Sequence, residues 1–120
     1  MATFDDVRAI AMALPEVEEI LTWETDVTFR VRRKMFVVGA DGSDSVSIKA
    51  TPTMQADLID QDPETFRPAA YVGRYGWVTA NLARIDDGQL RALLTEAWRM
   101  TAPRRAAAAL ATPPAIDTQG

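Results

Sequence analysis

Neither cysteine nor histidine occurs among the 120 residues of this chain. Their absence excludes disulfides, thiol nucleophiles and imidazole bases, and with them nearly all zinc and iron centres built on sulfur or nitrogen ligands. Long apolar runs are missing too, since no stretch approaches the roughly 20 residues that a membrane-spanning helix needs. The opening MATFDD has neither the basic start nor the apolar core of a secretory signal. The expected compartment is therefore the cytoplasm, with no membrane partner. A glycine-rich phosphate loop, a nucleophile elbow and metal-ligand spacing are also lacking, and no pattern fixes two carboxylates opposite each other for acid–base work. The chain reads as a non-enzymatic binding module with no cofactor and no metal.

Positive charge is the scarcer sign. Seventeen acidic against thirteen basic residues give a net charge of −4, and a field of that sign repels phosphate. Any binding of DNA is expected to be weak at physiological salt. The charge is unevenly spread, however. Residues 1–26 hold Asp5, Asp6, Glu16, Glu18, Glu19, Glu24 and Asp26 against Arg8 alone, whereas residues 27–49 hold Arg30, Arg32, Arg33, Lys34 and Lys49 against Asp41 and Asp44. A chain of this length can bury an adequate core as one domain without staples. The expected bounds are 1–111, with 112–120 as a flexible tail.

The basic segment also carries the clearest strand pattern. Thr28 to Val31 alternates polar and apolar, Met35 to Val38 is apolar and β-branched, and Ser45 to Lys49 alternates again, with turn residues 39–43 between. This predicts a three-strand antiparallel meander whose inner face holds Phe29, Val31, Phe36, Val38 and Ile48. Ahead of it, Thr3 with Asp6 forms a capping-box pair for a helix with Phe4, Val7, Ile10, Ala11 and Leu14 on one face, stopped by Pro15. A brief edge strand is expected around Ile20 to Trp23, guarded by its acidic neighbours. Beyond the meander, Thr51-Pro52 starts a second helix that ends near Gln61. Trp77 to Leu82 reads as a strand, and Asp86 caps a last helix with Leu90, Leu93, Leu94, Ala97, Trp98 and Thr101 inward. After Pro103 comes an alanine-rich turn to Ala111. The fold class is α+β, a mainly antiparallel sheet of about four to five strands with the first and last helices on its inner face.

Two clusters are candidates for binding. The first is the basic hairpin, Arg30, Arg32, Arg33 and Lys34 with Lys49 following, because a β-ribbon tipped with guanidinium groups can straddle a groove and neutralise phosphates. The same residues also fit a solvated hairpin paired with Glu24 and Asp26. The second is Tyr71, Arg74, Tyr75 and Trp77 beside Gly73 and Gly76, a composition able to stack a base or planar ligand and hold a phosphate or carboxylate. Ordinary core or rim packing of the aromatics is the alternative there. DNA or a phosphate-containing ligand at the hairpin is the leading reading. The other is a protein-interaction or small-ligand module using the loop 71–77 and the acidic N-terminal region.

Four segments together resemble the MmcQ/YjbR-like family: FDDVRAIAMALPEVEE, TWETDVTFRVRRKMFVV, DPETFRPAAYVGRYGWVTANL and LLTEAWRMTAPRR, spanning Phe4 to Arg105. The resemblance implies a frataxin-like α+β fold and a double-wing, DNA-binding role without catalysis. It also implies a comparison of Asp5, Asp6, Glu16, Glu18 and Glu19 with the acidic ridge that frataxin-like proteins present to metals or partners. One departure stands out. Many relatives carry a glycine before the lysine of the hairpin turn, where this chain has Arg33.

Overall fold

The computed structural model describes residues 2–22 and 25–104. Trp23, Glu24, the alanine-rich turn beyond Arg104, the domain end at 111 and the tail 112–120 lie outside the described residues. The order is α1 (Phe4–Met12), β1 (Val17–Thr22), β2 (Asp26–Val31), β3 (Lys34–Gly39), β4 (Ser45–Ile48), α2 (Pro52–Gln61), β5 (Phe66–Pro68), a 3-10 turn (Gly73–Tyr75), β6 (Val78–Asn81) and α3 (Asp87–Thr101). The strands form one antiparallel sheet in the order β1-β2-β3-β4-β6-β5. Its six strands exceed the four to five expected, because the short β5 pairs with β6 at the far edge.

The helix ends follow the expected chemistry. Thr3 Oγ1 accepts from the Asp6 backbone N–H while the Asp6 carboxylate accepts from that of Thr3, a reciprocal cap on α1. Thr51 caps α2, with Pro52 at its first turn, and Asp86 accepts from Gln89 N–H at the start of α3. Both α1 and α3 turn their apolar stripes to the sheet. Phe29 and Leu94 are completely buried, as are Phe36, Phe66 and Trp98; a fully buried Phe or Leu contributes about 1.5–3 kcal/mol relative to an exposed one. Trp98 also donates its indole N–H to Pro15 O at 2.9 Å, tying α3 to the end of α1. Helix α2 buries nothing fully and lays Met54, Leu58 and Ile59 against the core margin.

One inner-face assignment is corrected. The register shifts between Phe29 and Arg30: Phe29 lies opposite Val37, but Arg30 lies opposite Met35. This bulge leaves Phe36 as the extra residue, and both Phe36 and Val37 are completely buried. Val38 is thereby carried to the outer face, half-exposed between Thr28 and Ser47. Phe29, Val31, Phe36 and Ile48 hold the inner positions expected of them.

The outer face is a ladder of directly opposed residues, Ile20, Thr28, Val38, Ser47, Thr79 and Arg67. Ser47 and Thr79 hydroxyls meet at 3.0 Å. Thr28 is buried here because Arg30 lies over it, donating Nε to Thr28 Oγ1 at 2.9 Å and Nη2 to Thr22 Oγ1 at 3.2 Å.

Candidate nucleic-acid interface

The β2–β3 connection has two residues, Arg32 and Arg33, with φ of 52° and 73°. Consecutive positive φ values in a two-residue loop mark a type I′ turn, which matches the right-handed twist of the strands and ordinarily takes Asn-Gly. An arginine in the left-handed region costs roughly 1–2 kcal/mol, because its Cβ crowds the following carbonyl. The tip thus holds two cations where less strained residues would serve the turn better.

The cations of the hairpin are not equivalent. Arg32 is paired with Glu16, whose carboxylate holds the guanidinium pKa above its ordinary value through the hydrogen bond and the charge. Arg30 is half-buried and spends its donors on Thr28, Thr22 and the Arg33 carbonyl. Arg33 and Lys34 are exposed and make no ion pair among the described residues. Lys49, half-buried just past the end of β4, makes none either, and its backbone N–H donates to Phe36 O at 3.0 Å. Elsewhere among the described residues three arginines are paired, while Arg67, Arg74, Arg91 and Arg104 are exposed and make no ion pair. Arg8 meets Asp5, Glu19 and Asp41, Arg84 meets Asp62 and Glu64, and Arg99 meets Glu96.

The aromatic loop is built on the same end of the sheet. Gly76, at φ 103°, packs so tightly on the β4–α2 junction that a Cβ there would stand 2.6–2.8 Å from Pro52 N, Thr51 C and Ala50 O. Gln55 of α2 donates to both Gly73 O and Trp77 O at 2.7 Å, clamping the loop at two points. Trp77 is buried at 7% and anchors the loop, so its face is not offered to a ligand. Tyr71 and Tyr75 are exposed at 96% and 60%, Tyr71 in the left-handed region at φ 64°. The Arg74 guanidinium lies 4.9 Å from the Tyr75 ring centre, within cation–π range.

Register places these parts in one row. Ile48, the last residue of β4, pairs with Val37 near the start of β3 and with Val78 at the start of β6. The hairpin tip, Lys49 and the loop 69–77 therefore share one end of the sheet, with Lys49 between the other two. From the middle of β2–β3 to the middle of β6–β5 is three strand spacings, or about 14 Å. Arg67 adds an exposed cation on the outer face of β5.

The YjbR family model matches residues 12–100. The chain belongs to the YjbR family. It is 29% identical over 119 residues to the uncharacterised protein Rv2570 of Mycobacterium tuberculosis (strain ATCC 25618 / H37Rv), covering 88% of this chain and 92% of that protein. The uncharacterised Mb2600 of Mycobacterium bovis (strain ATCC BAA-935 / AF2122/97) matches to the same extent. Among solved structures, the Deinococcus radiodurans protein DR2400, with its DUF419 domain, is similar at a TM-score of 0.76 and 23% identity. That likeness covers 83% of this chain and 78% of DR2400 and shows a shared α+β fold.

In this YjbR protein the acidic residues are placed mainly as structural partners. Asp6 caps α1, Asp5 and Glu19 pair with Arg8, and Glu16 pairs with Arg32. Among the described residues no three acidic side chains converge to hold a metal ion, and no helix is long and apolar enough to cross a membrane. Asp62 has its carboxyl lowered below the usual range, chiefly by the Thr65 hydroxyl at 2.6 Å and then by Arg84. Sequence reasoning missed Gln55 as the residue that sets the loop. Its only signal is a polar side chain one turn before Ile59 on the face of α2 that touches the core margin.

Proposed function

We propose that this YjbR protein is a non-catalytic module that binds nucleic acid, or a ligand carrying phosphate, at the end of the sheet formed by the hairpin tip and Lys49. The observation that carries this reading is the distribution of unmatched charge. In a chain of net charge −4, Arg33, Lys34 and Lys49 lack acidic partners among the described residues and gather at one end, beside Arg74 and Arg67. Such cations bind phosphates without reading sequence, and binding weakens steeply with salt. Arg32 supports the tip through Glu16, and Arg30 braces the strand beneath it. The hairpin is the wing-like element of the double-wing arrangement.

The competing reading, a protein-interaction surface joining the aromatic loop to the acidic N-terminal region, is disfavoured by the strand order. The loop sits over β6 and β5, while Glu18 and Glu19 lie on β1 at the opposite edge.

Fluorescence anisotropy with a labelled 20-base-pair duplex (a chosen length of roughly two helical turns), run at rising salt, tests the proposal. Replacing Arg33, Lys34 and Lys49 by Ala should weaken binding for all sequences and flatten the salt dependence by roughly 0.9 per lost contact. Arg84→Ala with Arg99→Ala, which removes cations already paired elsewhere, should leave the slope unchanged. A wild type that binds neither this duplex nor a single strand of the same length at low salt, or a triple variant that binds as well, overturns the assignment.

A further inference from the structure

We infer that the site prefers nucleic acid with unpaired bases, which stack on Tyr71 and Tyr75 while their phosphates run past Lys49 to Arg33 and Lys34. The inference rests on the phosphate-binding reading above and adds a second element with its own chemistry. Tyr71 is almost wholly exposed, although an aromatic side chain ordinarily covers apolar surface. It also sits in a left-handed conformation that a bulky residue seldom adopts. Such strain persists only where the surroundings enforce it. Here Gly76 seated on Ala50 to Pro52, and Gln55 bonded to both Gly73 O and Trp77 O, fix the loop that presents the ring.

The ring of Tyr75 is more than half exposed, with the Arg74 guanidinium against it at 4.9 Å. A base can extend such a stack, since every nucleobase offers a π-face and the adjacent cation can meet its phosphate. Bases inside a duplex are already stacked on one another and present only their edges in the grooves. A platform of exposed rings is thus matched to a strand whose bases are free. The loop and hairpin are about 14 Å apart, a distance short enough for one strand to reach both. Lys49, between the two elements, lies on the path of the backbone. Single-stranded DNA and RNA share this chemistry, and separate probes distinguish them.

Anisotropy titrations of the full chain at low salt would use labelled dodecamers of thymidylate, uridylate and abasic phosphodiester, and a twelve-base-pair duplex. The thymidylate or the uridylate strand should bind at least tenfold more tightly than both the abasic strand and the duplex, and the tighter of the two names the source. Tyr71→Ala and Tyr75→Ala should each weaken single-strand binding by roughly tenfold, with duplex and abasic binding unchanged. Tyr71→Phe and Tyr75→Phe, which keep the ring, should restore it. Both side chains are exposed, so matching thermal melts will confirm that the fold is untouched. If single strand, abasic strand and duplex bind alike, or the alanine variants bind the single strand as tightly as the wild type, the inference is overturned and the phosphate-binding reading survives. If none of the four probes binds at low salt, both fail together.

Discussion

Replacing Arg33 by glycine should make the protein more stable and a poorer binder at once. Arg33 lies at φ 73°, second in a turn whose two residues are both left-handed. Relief of that conformation is worth roughly 1–2 kcal/mol. Glycine also gains freedom in the unfolded chain, which returns about 0.4–1 kcal/mol to the unfolded side. The net stabilisation is about 0.5–1 kcal/mol, or roughly 2–6 °C in Tm for a domain of this size. The Arg33 carbonyl, which accepts from Arg30 Nη1 at 3.4 Å, survives the change. Binding should move the opposite way, with a salt slope reduced by about 0.9 for one lost phosphate contact. Calorimetry and anisotropy on Arg33→Gly, with Arg33→Lys as a charge-keeping control, separate the two effects. The control should bind like the wild type and melt near it. A glycine variant that melts lower would refute the strain argument; one that melts higher but keeps full affinity and slope would remove Arg33 from the interface.

Gly76→Ala should destabilise by about 2–4 kcal/mol in a urea titration, since its Cβ would meet backbone atoms at 2.6–2.8 Å in a left-handed conformation. Arg8→Met should cost about 1–2 kcal/mol and lose much of that effect at high salt, because Arg8 joins α1 to Glu19 of β1 and to Asp41 of the β3–β4 turn and lies 5.3 Å over the Phe4 ring. The lowered Asp62 carboxyl contributes stability that is present above its unfolded pKa and lost as pH falls through the folded one. Carbon-detected NMR titration of Thr65→Val should accordingly find the Asp62 pKa higher than in the wild type, and an unmoved value would discount the hydroxyl. Gln55→Ala should weaken single-strand binding while leaving binding of the abasic strand intact, because it frees the loop but touches no phosphate contact.

The alternating and capped segments were readable because their chemistry is local. The Thr3–Asp6 box, the Thr51-Pro52 start and the Asp86 cap act over three residues, and the α3 stripe repeats over four turns. Val38 was misplaced because Met35 to Val38 is apolar at every position, so nothing in that run marks where a bulge shifts the face. Strand β5 escaped notice because three residues ending in proline carry no period, and only pairing with β6 makes them a strand. At the candidate site the hairpin cations stood out by composition, whereas their ranking depended on partners distant in sequence. Glu16 engages Arg32 across sixteen positions, and Thr22 engages Arg30 across eight. The exposure of Tyr71 and the burial of Trp77, six residues apart, follow from a loop clamped by α2, a contact that spans 18 and 22 positions.

The most direct test of the central claim is a two-dimensional NMR titration of the labelled protein with a short single-stranded oligonucleotide at low salt. Amide shifts should move, with saturation, at Arg33, Lys34, Lys49 and Gly73 to Gly76, and fade as salt is raised, while Arg84, Arg91 and Arg99 stay in place. Shifts centred on α1 or α3, or a spectrum unchanged by the oligonucleotide at low salt, would contradict a nucleic-acid interface at this end of the sheet.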